Sequence, residues 1–144
     1  MRDRFFLDTN IFVYTFDSRE PKKQAKAQDL VADALTRGRG VISHQVVQEF
    51  LHVATQKFTN PLSESDALLY LDRVLGPLCE VLPTLDLYRS TIGLAARWKY
   101  SFYDSLIVAA ALKSECAILY TEDLKHGQEV EGVTLMNPFL KSAK

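Results

Sequence analysis

Phe5-Phe6-Leu7-Asp8-Thr9-Asn10 is the stretch whose reading decides the fold. An apolar run stops at Asp8, and a second, largely apolar run over residues 11–16 starts before any Gly or Pro intervenes. The pattern predicts a short buried strand that carries one carboxylate at its C-terminal end and turns at once into a helix. In open parallel α/β sheets, ligands gather outside that end of the strands. The reading of the remaining chain turns on which other acids it brings to Asp8.

Outward from that stretch, short apolar runs alternate with helical periodicity. Pro21 suits a helix first turn, Ala25, Ala27, Leu30, Val31, Ala34 and Leu35 keep a helical period over residues 22–37, and Gly38 and Gly40 end it. Residues 41–43 read as a buried strand. Residues 45–58 read as a helix with Val46, Val47, Phe50, Leu51 and Ala54 inward and Glu49 at the edge of that face. Asn60-Pro61 breaks the chain, and Ser63 with Asp66 forms a capping box for a helix over 67–75. A brief strand at 80–82, a helix over 85–98, an apolar helix opening at Tyr103-Asp104-Ser105, a strand at 117–120 and a last strand at 133–136 complete the order. With no repeat, low-complexity tract or linker, residues 1–144 read as one α/β domain around a mainly parallel sheet of four or five short strands.

Composition narrows the function classes. The 144 residues are 47% hydrophobic, ordinary for a globular core, and the formal charge is −1 from 17 Lys and Arg against 18 Asp and Glu. That balance argues against coating nucleic acid or anionic membrane by bulk charge, so any basic surface is local. The longest wholly apolar run, residues 106–112, falls well short of the roughly 18 residues of a membrane span. The apolar segment after the first four residues is too short for a secretory signal. Cys79 and Cys116 are isolated thiols without a Cys-x-x-Cys, which fits a reducing cytoplasm and supports neither a zinc knuckle nor a redox pair.

Four acids occupy matching kinds of place. Asp8 and Asp123 follow apolar strands, Glu49 sits one turn into the helix after a strand, and Asp104 lies at a helix opening. Taken singly, each has a plain structural role: Asp104 as an N-cap, Asp8 and Asp123 as turn residues, Glu49 as a solvated helix residue. Taken together, gathered carboxylates repel and raise one another's pKa, and a divalent cation is what makes such a cluster tolerable. Oxygen donors without cysteines point to Mg²⁺ or Mn²⁺ rather than zinc. Such ions, about 3.5–4 Å apart when paired, activate water against a phosphodiester and stabilise its leaving oxygen. Setting the four aside leaves 14 acids against 17 basic residues, and Lys22, Lys23 and Lys26, or Arg37 and Arg39, are candidates for phosphate contacts.

The Leu7-Asp8-Thr9-Asn10 opening, Gln48-Glu49-Phe50, the run from Tyr103 through Ala111, Tyr120-Thr121-Glu122-Asp123-Leu124 and Asn137-Pro138-Phe139 together resemble the PIN domain, especially its VapC-like bacterial and archaeal members. The resemblance spans nearly the whole chain. It implies a three-layer α/β/α sandwich and a Mg²⁺- or Mn²⁺-dependent ribonuclease site of Asp8, Glu49, Asp104 and Asp123, with Thr121 as the accompanying hydroxyl residue. Asn10 matches the polar position two after the first acid, and Glu122 falls at a more variable position and ranks below Asp123 as a ligand. It further implies a toxin of a toxin–antitoxin pair, commonly a homodimer, inhibited by a small antitoxin protein that inserts into the acidic site.

Other constellations carry less. Glu49 and His52 form one Glu-x-x-His, but a di-iron bundle needs a second copy and the chain has none. His44 and His126 read as surface or half-buried polar residues. Arg37-Gly38-Arg39-Gly40 is too short for a phosphate loop. Tyr100, Phe102 and Tyr103 offer rings for base stacking, although core packing or a subunit contact is the commoner fate of such residues. A haloacid-dehalogenase-like phosphatase also places an Asp after its first strand, but it has a second Asp two residues later where this chain has Asn10. A non-catalytic RNA-binding module is the remaining alternative, and it has no use for a repulsive carboxylate cluster.

Overall fold

The computed structural model describes residues 3–140; the outermost limits of the expected domain, 1 and 144, lie outside the described residues. Strand β1 (Phe5–Leu7) is buried on both faces, as its unbroken apolar sequence requires of a central parallel strand. It leads through Asp8 into helix α1 (Thr9–Tyr14) and then α2 (Pro21–Arg37), which Pro21 opens and Gly38 closes in the left-handed conformation at φ 66°. Strand β2 (Gly40–Ser43) follows and pairs parallel to β1, with Phe5 opposite Gly40 and Phe6 opposite Val41. Gly40 has a steric reason: a Cβ there would stand 2.1 Å from the Ala34 Cβ of α2.

Helix α3 (His44–Gln56) starts directly from β2, and α4 (Glu64–Tyr70) is capped by Ser63, whose Oγ accepts from the Asp66 backbone N–H as the capping box predicts. The expected helix over 67–75 loosens into a π-helical turn at Leu71–Leu75 and ends in the short α5 (Gly76–Leu78). Strand β3 (Cys79–Val81) then adds to β2. Helices α6 (Leu85–Trp98) and α7 (Phe102–Lys113) come next, α6 capped by Thr84 and α7 by Ser101. Helix α7 is buried from Ser105 to Ala111, matching an apolar sequence with no polar face. Strand β4 (Ile118–Tyr120) pairs with the other side of β1, and a hairpin of β5 (Glu129–Val130) and β6 (Val133–Met136) completes the sheet.

The sheet order is β3-β2-β1-β4-β6-β5, parallel except for β5. Right-handed crossovers place α2 through α5 on one face, because β1, β2 and β3 step in one direction. The return from β3 to β4 passes α6 and α7 over the other face, which makes the three-layer α/β/α sandwich that the resemblance implied. The sixth strand, β5, is too short to show as an alternating pattern, and its turn residues Glu131 and Gly132 both have positive φ, as a tight two-residue hairpin demands. The core joins Phe6, Leu7 and Leu119 of the sheet to Ile11, Phe12 and Phe50. A ring cluster of Phe12, Phe16, Phe50, Phe58 and Tyr70 packs α1, α3 and α4 together.

The order has one reversal point. From β1 the chain goes to β2 on one side, and β4 fills the other side. The crevice where strand order reverses is where open α/β sheets bind their ligands, and here it lies between the carboxyl ends of β1 and β4. Asp8 and Thr121 are the residues that follow those two strands.

Candidate active site

Asp8 is the N-cap of α1 and is buried, 8% exposed. Its backbone N–H donates to the Tyr120 carbonyl at 3.1 Å, which clamps the end of β1 to β4. Its Oδ1 accepts from the Thr9 N–H at 2.7 Å and its Oδ2 from the Thr121 hydroxyl at 2.8 Å. Thr121 Oγ1 in turn accepts from the Asp123 N–H at 3.1 Å, so one hydroxyl fixes both the first and last acids of the set. Thr9 does the same for the second acid, donating from its hydroxyl to Glu49 Oε1 at 2.6 Å. Gln45, one turn before Glu49 on α3, donates from Nε2 to Glu49 Oε2 at 3.1 Å and to the Tyr103 carbonyl at 3.3 Å. That amide ties α3 to the first turn of α7, which carries Asp104.

Asp104 is not the cap of α7. Ser101 is, and its Oγ accepts from the Asp104 N–H at 3.1 Å. Asp104 therefore stands at the third helical position, where the helix dipole favours a negative charge. The structure brings all four acids of the sequence reading to the carboxyl end of the sheet. Burial pushes the Asp8 carboxyl up to about 6, with Asp123 and Glu49 adding repulsion and the bonds from Thr121 and Thr9 opposing the rise. The Asp123 carboxyl is raised as well, first by partial burial and then by Asp104, Glu122 and Glu49. The repulsion links all four charges into one field.

The donor chemistry fits a hard divalent cation: carboxylate oxygens, no thiol and no imidazole, in a field that penalises their charge. Asp8, Glu49, Asp104 and Asp123 are the residues that would hold it. Among the described residues no three His, Cys, Asp or Glu side chains are already drawn into a coordination cage. The match is one of donor type and charge.

Glu122 points to a different task. Lys23 Nζ donates to its Oε2 at 2.6 Å and the Tyr14 hydroxyl to its Oε1 at 2.7 Å. Burial raises the Glu122 carboxyl, but these two bonds outweigh it and hold the group below the usual range. Both oxygens are engaged, and the bond fastens α2 to the loop that bears Asp123. The same bond takes Lys23 out of the set of candidate phosphate contacts. Arg37 pairs with Asp33 and Arg39 with Asp3, whereas Lys22 and Lys26 are exposed and have no ion-pair partner among the described residues. His126 and Asn137 brace the same loop, the Asn137 N–H donating to His126 Nδ1 at 2.9 Å.

Thr9, Gln45 and Ser101 are the supporting residues that the sequence reading left without a role in holding the acids. Two had a spacing signal: Gln45 precedes Glu49 by four residues on one helix, and Ser101 precedes Asp104 by three in capping-box spacing. Thr9 had none, because its partner Glu49 is 40 residues away.

The fold has solved counterparts. The toxin–antitoxin complex from Klebsiella pneumoniae superposes with a TM-score of 0.66 at 18% identity, covering 92% of this chain and 96% of that one. Mycobacterium tuberculosis VapC20, described as a sarcin–ricin loop cleaving toxin, gives 0.61 at 21% identity, over 83% of this chain and 89% of its own. VapBC2 from Rickettsia felis, bound to a DNA fragment from its promoter, gives 0.62 at 19% identity, over 91% and 96%. No curated protein matches the sequence. The family model of the PIN domain matches residues 5–128, a span that takes in Asp8, Glu49, Asp104, Thr121 and Asp123, and the chain belongs to the PIN domain family.

Proposed function

We propose that this PIN domain is a Mg²⁺- or Mn²⁺-dependent endoribonuclease and the toxin of a toxin–antitoxin pair. The observation that carries the reading is the joining of Asp8, Glu49, Asp104 and Asp123 at the switch point of the sheet, two of them with carboxyls raised by burial and mutual repulsion. When bound, the cation would activate water and stabilise charge on the phosphodiester. Thr121 holds Asp8 and the Asp123 backbone in register, and Thr9 and Gln45 aim both oxygens of Glu49. Glu49, held from two sides, is oriented either to complete the ligand set or to take a proton from the attacking water. Lys22 and Lys26 on α2 supply local positive charge for an RNA backbone that the acids repel. The phosphatase alternative lacks support at Asn10, where the second Asp would stand.

The partner would be a small antitoxin whose basic side chain neutralises the acids. Exposed Leu68 and Leu69 on α4 and Leu85 and Ile92 on α6 leave apolar surface of the kind that a second copy covers, which supports a homodimer. Light scattering that returns the mass of a single chain at micromolar concentration would rule out that assembly. Cys79 and Cys116 are free thiols, in keeping with a cytoplasmic setting, and among the described residues no helix is long and apolar enough to cross a membrane.

The deciding experiment incubates purified protein with total cellular RNA and Mg²⁺ or Mn²⁺ and maps the cleavage ends beside Asp8→Asn, Asp104→Asn and Asp123→Asn. Cleavage that needs the metal and disappears in all three folded variants is expected. Undiminished metal-dependent cleavage in the variants sinks the assignment.

A further inference from the structure

A groove of about 450 Å³ opens beside the acids, walled by the carboxyl ends of β2 and β3 and the first turns of α3, α6 and α7. Gln45 belongs to both places: it lines the groove, while its Nε2 bonds Glu49 and the Tyr103 carbonyl. Among the described residues, no Asp, Glu, Lys or Arg lines the groove. Tyr88, Phe102 and Tyr103 contribute rings, in contact at centroid distances of 6.5 and 5.4 Å, and Tyr103 is 65% exposed. Two buried polar atoms on residues of the wall lack hydrogen-bond partners among the described residues: Ser43 Oγ and Gln45 Oε1, on residues only 3% and 9% exposed. The register between β2 and β3 also shifts between Ile42 and Ser43, and such irregularities re-aim side chains next to sites.

We propose that this groove takes one unstacked nucleobase of the RNA strand, next to the phosphodiester presented to the acids, with Tyr103 stacking on its face, the perpendicular Phe102 ring walling its rim, and Ser43 Oγ and Gln45 Oε1 reading its edge. The proposal rests on the ribonuclease reading and adds sequence selectivity to it. With His44 as its one imidazole and no carboxylate, ammonium or guanidinium, the lining suits a neutral planar group better than a charged side chain. An apolar side chain from a protein partner would leave Ser43 Oγ and Gln45 Oε1 unpaired, whereas every nucleobase carries both N–H donors and acceptors. Aromatic stacking with edge contacts is the general way proteins read unpaired RNA bases.

The test combines cleavage and binding. Short oligoribonucleotides that differ in one base near the scissile phosphate are cleaved with Mn²⁺ by wild type, Ser43→Ala and Tyr103→Ala. In parallel, fluorescence of a 2-aminopurine-bearing oligonucleotide is titrated with each protein without metal. The expected result is a base preference in wild type that Ser43→Ala narrows by about five- to tenfold. Tyr103→Ala is expected to weaken oligonucleotide binding by about tenfold or more and to abolish the 2-aminopurine quench, since stacking contributes that much per base. Circular dichroism confirms that both variants fold. Metal-dependent cleavage with unchanged preference and quench in both variants overturns the groove and leaves the ribonuclease reading intact. Base-selective binding that depends on Ser43 and Tyr103, without cleavage, supports the groove as a base site and overturns the ribonuclease reading. Loss of dimerisation or of protein-partner binding in Tyr103→Ala, with base preference unchanged, also overturns it and assigns the surface to protein contact.

Discussion

Asp8→Asn has a measurable consequence before any substrate is added. Raising a buried carboxyl from 3.8 to about 6 costs about 3 kcal/mol at 1.36 kcal/mol for each pH unit, an upper bound for the ionised, metal-free protein. The folded state holds the Asp8 proton between about pH 4 and 6, while the unfolded chain has released it. The folded state therefore binds more protons, and this residue's contribution makes stability fall as pH rises through that window, then level off above about 6. Urea unfolding in EDTA at several pH values from 4 to 7 should show a slope up to about 1.4 kcal/mol per pH unit more negative in wild type than in Asp8→Asn. The difference between the two proteins cancels the titration of most other groups. A cation that binds only the folded wild type should then stabilise it at pH 7 by about 2.7 kcal/mol at a hundred times its dissociation constant, closing most of the gap to Asp8→Asn. Parallel pH profiles in EDTA would refute the claim that Asp8 is held in a desolvated, repulsive setting, whatever its activity.

The other perturbations separate the parts of the site. Thr121→Val removes the donor to Asp8 and the acceptor for the Asp123 N–H, and should cost about 1–3 kcal/mol and shift the Asp8 titration further upward; a native pH profile in this variant would detach Thr121 from Asp8. Lys26→Ala should lower the salt dependence of RNA binding by about one phosphate contact, while Lys23→Ala leaves it unchanged because Lys23 is bonded to Glu122; equal slopes for both would contradict that division. Phe50→Ala, at the centre of the ring cluster, should lose about 3–5 kcal/mol in urea unfolding, and a loss below 1 kcal/mol would mean that the cluster is not a packed core.

Much of the architecture was legible because its signals are local. An unbroken apolar run is how a central parallel strand must look, and Phe5–Leu7 is buried throughout. Ser63 caps its helix as the spacing predicts, and Leu85–Trp98 is a helix from end to end. The places where the reading fell short are those where a longer-range contact or a very short element decides the outcome. The π-helical turn at Leu71–Leu75 interrupts a helix that periodicity alone would continue, and β5 is two residues held in place by its pairing with β6. Capping chemistry reassigned Asp104: Ser101 takes the cap and leaves Asp104 at the third helical position, with its side chain spared from the capping role.

The sequence by itself determined that acids follow two apolar strands, enter one helix and open another, because each placement depends only on residue order and periodicity. The tertiary structure decided what those acids experience. Sheet order puts β1 beside β4 although their residues are more than a hundred apart in the chain, and only that pairing lets Thr121 bond Asp8. The same packing pairs Lys23 with Glu122, which removes one candidate phosphate contact and one candidate ligand together. Hydrogen bonding and desolvation depend on distances of a few ångströms between chain-distant groups. Sequence spacing carries no measure of those distances, and the fold supplies them.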